Sequence, residues 1–217
     1  MTTKTLSILT PSLVCRAKTL EKMMAFFAAQ MRGLPVELLV DVDDYVRTTG
    51  AKRNSLLARA EGEYVVFCDD DDEFSPKYVE SVLACLESKP DVVGINGKVR
   101  FPSLKHWGGP PVQTFVHSIK YKTYFRDKNG VYCRPPTHSN PMRRDFMMSV
   151  PFPDVSLFED VAQAVKLAAS GVLKQEVMCE EPLFTYIPAG TGSHAGHANQ
   201  PTPADRERIM KEYGCYT

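Results

Sequence analysis

Tyr64-Val65-Val66-Phe67-Cys68 is a run of strand-forming apolar residues that ends abruptly in four carboxylates, Asp69-Asp70-Asp71-Asp72. An unbroken Val/Phe/Tyr run reads as a strand buried on both faces. Its charges must then emerge at the C-terminal edge of a sheet, where open α/β sheets bind their ligands. Four neighbouring carboxylates repel one another, and each raises the others' pKa unless cations neutralise them. A solvated acidic turn has the same composition, so the rest of the chain must decide between the two.

A second apolar run, Val36 to Val42, also finishes in acids: Asp41, Asp43 and Asp44. Before it, Thr5-Leu6-Ser7-Ile8-Leu9 alternates as a strand that Thr10-Pro11-Ser12 is expected to break, and Leu20 to Met31 carries apolar residues at helical spacing. Gly33 and Pro35 stop that helix. Leu56, Leu57 and Ala60 predict a short helix closed by Gly62. Lys52-Arg53-Asn54 falls in its first turn, where cations oppose the helix dipole. That placement points to a bound anion, the alternative being a solvated basic turn. Ser75-Pro76 predicts the start of a helix running to Leu86, and Asp91 to Asn96 is the next strand. Strands alternating with helices predict an α/β protein built on a parallel sheet.

The second half is less regular. Trp107 lies in a Gly/Pro cluster, Thr114 to Phe125 alternates like strands, and Lys128-Asn129-Gly130 reads as a hairpin turn. Ser156 to Glu159 has capping-box spacing, ahead of a helix whose buried stripe is expected at Val161, Ala164, Val165 and Ala168. Glu180 to Ile187 reads as a final strand, Ala189 to Ala198 as a loop, and Pro203 to Tyr213 as a charged helix. With no repeat or low-complexity tract, the 217 residues are expected to form one domain. Its parts would be a ligand-binding half (1–97), a second half (98–200) and the closing helix (201–217).

Lys+Arg and Asp+Glu are equal at 26 each, so no global field selects nucleic acid or a membrane surface. Six cysteines without a Cys-x-x-Cys pair argue against a zinc knuckle or a disulfide framework. Free thiols, and the lack of a signal-peptide core or a bilayer-length apolar run, lead us to expect a cytoplasmic protein.

Four segments in order resemble the GT-A fold nucleotide-sugar glycosyltransferases, especially the family-2-like inverting enzymes. These are Leu6 to Pro11, Val36 to Asp44, Lys52 through Asp72, and Phe158-Glu159-Asp160 followed by Glu181 to Tyr186. The resemblance implies a single GT-A, Rossmann-like domain with a mixed, mostly parallel central sheet flanked by helices. The implied function is transfer of one sugar from a nucleotide-diphosphate sugar to an acceptor hydroxyl. Thr10, Pro11 and Arg16 would lie in the loop admitting the nucleotide, Asp41 and Asp43 at the nucleobase, and Lys52, Arg53, Asn54, Asp69 and Asp70 around the donor. Asp71, with Asp69, would hold a divalent cation (Mn2+ or Mg2+), which suits carboxylate and phosphate oxygens. Asp160 would be the base that takes the acceptor proton, with Glu159 its neighbour.

The same resemblance makes His194 or His197 a candidate further metal ligand from the C-terminal segment, the alternative being incidental histidines in a surface loop. His138 would line the acceptor site, and Arg143 and Arg144 would pair with phosphate or form a solvated basic turn. The acceptor is left open among glycans, lipid-linked sugars, proteins and hydroxymethylated DNA bases. Lys98, Arg100, Lys105, Lys120, Lys122, Arg126 and Lys128 make the inserted region locally basic. Besides a retaining transferase of the same fold, which product stereochemistry would separate, two rival readings remain. A sugar nucleotidyltransferase would carry a Gly-rich phosphate loop, which Thr10 to Arg16 lacks. A non-catalytic sugar- or metal-binding module would bind without turnover.

Overall fold

The computed structural model describes residues 4–100 and 112–187. Trp107, Lys105, the 189–198 loop with His194 and His197, the 203–213 helix and Cys215 lie outside the described residues. In chain order, β1 (Leu6–Leu13) passes through a 3-10 turn at Val14–Arg16 into α1 (Ala17–Gln30). Then come β2 (Val36–Asp43), α2 (Thr49–Arg59), β3 (Tyr64–Phe67), the short β4 (Glu73–Phe74), α3 (Tyr78–Leu86) and β5 (Val92–Arg100). The second half adds β6 (Val112–His117), β7 (Phe125–Arg126), β8 (Tyr132–Arg134), β9 (Met142–Arg143) and α4 (Arg144–Ser149). It closes with α5 (Glu159–Ser170), β10 (Glu176–Met178) and β11 (Phe184–Tyr186).

The sheet order is β2-β1-β3-β9-β5-β6-β8-β7, with β10 and β11 beside β5. β1 pairs in parallel with β2 along its whole length and with β3 over Leu6 to Leu9. The tiny β9 lies antiparallel between β3 and β5, which keeps those two strands parallel to each other. β5 then turns the sheet antiparallel through β6. The architecture is therefore α/β with the mixed, mostly parallel sheet that the resemblance implies; strand–helix alternation alone points to the parallel part of it.

Apolar patterning explains the two layers. On β3, Tyr64 and Val66 point into a core with Phe27 of α1 and Val79 and Val82 of α3, whereas Val65 and Phe67 point into a second core with Leu56 of α2, Met147 of α4 and Leu167 of α5. Period-two alternation feeds both faces, so the strand is apolar throughout. Each fully buried side chain contributes about 1.5–3 kcal/mol.

Several local expectations differ from the structure. Pro11 does not break β1, which runs on to Leu13 paired with β2. β3 has already ended on the other side, so the missing Pro N–H removes no ladder bond there. Ser75-Pro76 forms a turn before α3 instead of its first residues. Tyr78 N–H bonds the Ser75 carbonyl at 2.9 Å, and Lys77 occupies the cap position. The capping box at Ser156 is not formed, and α5 instead follows Phe158, whose φ of 61° is left-handed. Its buried positions are Glu159, Ala162, Gln163, Ala164 and Leu167. The stripe is shifted because Glu159 itself turns inward. The last strand is only Phe184–Tyr186. Among the described residues no helix is long and apolar enough to cross a membrane, and the five described cysteines are free.

Candidate active site

Two anchors fix the acid turn to β1. Cys68 N–H donates to the Leu9 carbonyl at 3.0 Å, and the Thr10 hydroxyl donates to the Cys68 carbonyl at 2.8 Å. Beyond them the four carboxylates separate. Asp70 turns inward and is only 2% exposed, bonded by the Ser12 hydroxyl and paired with Arg16. Arg16 also reaches Asp71 at 2.7 Å. Asp72 accepts the Ile187 N–H at 3.2 Å, which ties the turn to the end of β11. Asp69 and Asp71 keep side chains 31% and 34% exposed, so these two are the acids of the turn open to solvent.

Opposite the turn stands the start of α5, brought there by α2. Gly50 donates its N–H to Val155 at 3.0 Å, and a Cβ on Gly50 would lie 1.9 Å from the Pro153 carbonyl oxygen, so only glycine permits this approach. One turn later the Asn54 amide closes both ways on Phe152, donating at 2.8 Å and accepting at 3.0 Å. The helix so docked carries Arg53, with a side chain 4% exposed, into the space between the two acid groups. Its Nε donates to Glu159 Oε1 at 3.1 Å and its Nη2 to Asp69 Oδ1 at 3.2 Å, while the guanidinium lies 4.8 Å from the Phe67 ring centre. Nη1 is buried without a hydrogen-bond partner among the described residues.

His138 makes a second link. Its Nε2 is 3.7 Å from Asp69 Oδ2 and its Nδ1 is 3.6 Å from Asp160 Oδ2. The loop bearing it is pinned to the sheet at both ends. The His138 carbonyl accepts Phe67 N–H at 2.9 Å, and the fully buried Asn140 donates to the Val93 carbonyl at 2.9 Å and accepts Thr137 N–H at 2.9 Å. Asp69 therefore sits between Arg53 and His138, and Asp160 emerges beside the same imidazole.

Electrostatics follow from this arrangement. Burial alone would raise the Asp69 pKa, but Arg53 and His138 outweigh it and hold the carboxyl well below its usual range. Burial pushes Asp70 up to about 6 against the pull of Ser12 and Arg16, and it also raises Asp71 and Asp72, where Asp69 adds repulsion. Burial and the neighbouring Asp160 push Glu159 up to about 8 despite Arg53. Six acids thus face two arginines and one histidine, and a cation would relieve the excess. Among the described residues no three His, Cys, Asp or Glu side chains form a metal cage by themselves. The donor set fits the mode in which one or two carboxylates and substrate phosphates share a hard ion.

The remaining residues singled out in the sequence lie along the same edge. Asp41 is held by Arg47 at 2.9 Å and lies 3.6 Å from Arg59, and Asp43 is held by Lys52 at 3.0 Å. Burial opposes Asp43 ionisation, but the bonds from Lys52 and Arg47 lower its pKa. Lys52 also donates to the Ser12 carbonyl at 2.8 Å. Thr10, Pro11, Lys52 and Asn54 are thus engaged by the protein's own backbone or carboxylates. The Thr48 hydroxyl caps α2 and shifts its start, placing Lys52 and Arg53 in the second turn. The anion expected beside them is the protein's own set of carboxylates. Arg144 likewise donates to the Ala60 carbonyl at 2.5 Å, and Arg143 lies near Asp145 and Glu63. The inward turn of Asp70 and the role of Asn140 carried no signal in the sequence, because both depend on contacts between segments distant in the chain.

The model of the family described as "Glycosyl transferase family 2" matches residues 44–149, which include the acid turn, Arg53 and His138. No curated protein matches the chain. Among solved structures, TarS 1-349 of S. aureus in complex with UDP aligns over 96% of this chain and 64% of its own, at 15% identity and a TM-score of 0.55. The complex of TarS 1-349 with UDP-GlcNAc aligns over 96% and 65% at 14% identity and 0.53, and the longer TarS structure over 96% and 39% at 15% and 0.55. The chain spans less than two thirds of the length of these structures. The described chain thus has the GT-A fold of the nucleotide-sugar glycosyltransferases and is family-2-like across residues 44–149.

Proposed function

We propose that the protein transfers one sugar from a nucleoside-diphosphate sugar, with uridine as the first base to test, to an acceptor hydroxyl. One observation carries this reading: Arg53 and His138 join Asp69 of the acid turn to the Glu159-Asp160 pair in one site. The UDP and UDP-GlcNAc complexes of the similar TarS structures support a uridine donor.

Asp69 and Asp71 would hold a divalent ion, Mn2+ or Mg2+, which supplies charge neutralisation for the departing diphosphate. Asp160, 28% exposed in its side chain, takes the acceptor proton as the new C–O bond forms. The bond from the anomeric carbon to the diphosphate oxygen breaks, and the nucleoside diphosphate leaves from the opposite face, which gives inversion. His138 orients Asp160, and Arg53 keeps Asp69 ionised. Arg53 bonds Glu159 through Nε and Asp69 through Nη2, so the raised pKa of Glu159, about 8, leaves Asp69 as the main ionised partner of the guanidinium. Asp41 and Asp43, capped by Arg47, Arg59 and Lys52, form the edge where the nucleobase would lie.

The test is release of nucleoside diphosphate from a panel of donor sugars with Mn2+, Mg2+ or EDTA. Metal-dependent release from one donor supports the reading. Binding of a donor without release under any acceptor supplied favours a binding module instead.

A further inference from the structure

The segment from Ser118 to Arg134 contains five Lys or Arg residues and one acid, Asp127. Asp127 serves the hairpin turn, where its Oδ1 accepts the N–H groups of Asn129 and Val131, both at 2.9 Å. Among the described residues none of the five cations forms an ion pair with a carboxylate. Three of the five lie over aromatic rings instead. Lys120 lies 5.0 Å from the Tyr121 ring centre, Arg126 lies 4.2 Å from that of Tyr132, and Arg134 lies 5.3 Å from that of Tyr124. Phe125, 40% exposed, meets Tyr121 edge-on at 5.4 Å. Among the described residues β7 ends the sheet order, so these groups sit at the edge of the sheet.

Uncompensated cations interleaved with stacking rings match the chemistry that binds single-stranded nucleic acid, in which the cations track phosphates and the rings accept base faces. A purely anionic chain would use the charges alone and leave the exposed apolar ring of Phe125 unexplained. β8 also leads straight into the site. Only Pro135, Pro136 and Thr137 separate Arg134 from His138, a span of at most about 14 Å. We infer that the β7–β8 ribbon is a binding surface for single-stranded nucleic acid, positioned to bring such a strand to the candidate active site. Binding here does not depend on sugar transfer, so failure of donor turnover would leave the inference standing.

The test is fluorescence anisotropy of a labelled oligothymidylate of about 16 nucleotides, titrated with the full chain at several salt concentrations. Wild-type protein should bind, and binding should weaken as salt rises. Arg126→Ala should weaken it several-fold and flatten the dependence of log K on log salt by about 0.7. Phe125→Ala should weaken it roughly 5- to 100-fold at unchanged salt slope, the loss of one stacked base. Both positions are exposed, and unchanged thermal midpoints would establish that the variants fold. No binding by wild type would overturn the inference. So would equal competition by inorganic polyphosphate together with an unaffected Phe125→Ala, which would assign the ribbon to anionic polymers in general.

Discussion

Arg53 and Glu159 lie 106 residues apart in the chain, yet the Nε of one donates to the Oε1 of the other at 3.1 Å inside the protein. The same guanidinium holds Asp69 at 3.2 Å. One side chain therefore unites the acid turn with the Glu-Asp helix start. Replacing it with methionine would leave the partly exposed Asp69 without its cation and the buried Glu159 without its donor, at a loss of about 1–3 kcal/mol. A urea unfolding midpoint measures this. Arg53→Lys should also be impaired, because an ammonium lacks the fork that bonds both acids at once. A stability equal to wild type in both variants would contradict the role assigned to Arg53.

Gly50 gives a sharper steric test. A Cβ placed 1.9 Å from the Pro153 oxygen cannot be accommodated without moving backbone. Gly50→Ala should therefore destabilise by about 1–3 kcal/mol even though alanine favours helix. It should also lower turnover by displacing the segment that leads into Glu159. An unchanged or raised unfolding midpoint would show that the 153–155 loop yields freely.

His138 stands between Asp69 and Asp160 and forms part of neither the metal pair nor the base. His138→Asn should reduce turnover about 10²-fold, the lower end of what a positioned acid–base group contributes, with little change in donor affinity. Asn140→Ala removes the bonds that pin the same loop and should cost about 1–3 kcal/mol, since it leaves buried partners unpaired. Steady-state kinetics beside a denaturation curve separate the two effects. Wild-type turnover in His138→Asn would exclude it from the site.

Glu159 predicts a dependence on pH. It titrates at about 8 in the folded protein, against its ordinary 4.5. Below about 4.5 both folded and unfolded chains hold the proton. Between 4.5 and 8 the unfolded chain releases it while the folded chain keeps it, so this group reduces stability progressively as pH rises through that window. Glu159→Gln removes the titration, and the stability difference, wild type minus variant, should fall from pH 4.5 to 8 and level off above. Urea midpoints across the range measure it. A constant difference would contradict the raised pKa.

What could be read in the sequence was local. The Tyr64–Asp72 run announced a buried strand ending in acids, because apolar continuity and abrupt charge lie in one window. The hairpin at Lys128-Asn129-Gly130 was legible for the same reason, through its turn residues, and Gly130 adopts a φ of 80°. Lys52-Arg53 showed that an anion was near, but the anion is intramolecular, and only tertiary structure brings Asp43, Asp69 and Glu159 to those cations. β9 is two residues long and paired on both sides. Such a strand has no periodicity to detect, so β9 itself could not be read from local pattern, and the mixed sheet was implied only by the resemblance. The phase of α5 was misread because a buried glutamate, held by Arg53, looks polar in sequence and therefore exposed.

The central claim is that Asp71 serves donor binding through a cation and Asp160 serves proton removal. It is tested most directly by measuring, in Mn2+, both the binding and the turnover of UDP-GlcNAc (or whichever donor the wild type hydrolyses) by Asp71→Asn and Asp160→Asn. The account predicts that Asp71→Asn loses donor binding by about 10–100-fold, as loss of a metal-orienting group does. Asp160→Asn should bind donor like wild type and lose turnover by about 10²–10⁴-fold. Wild-type turnover in Asp160→Asn, or metal-independent donor binding unchanged in Asp71→Asn, would contradict it.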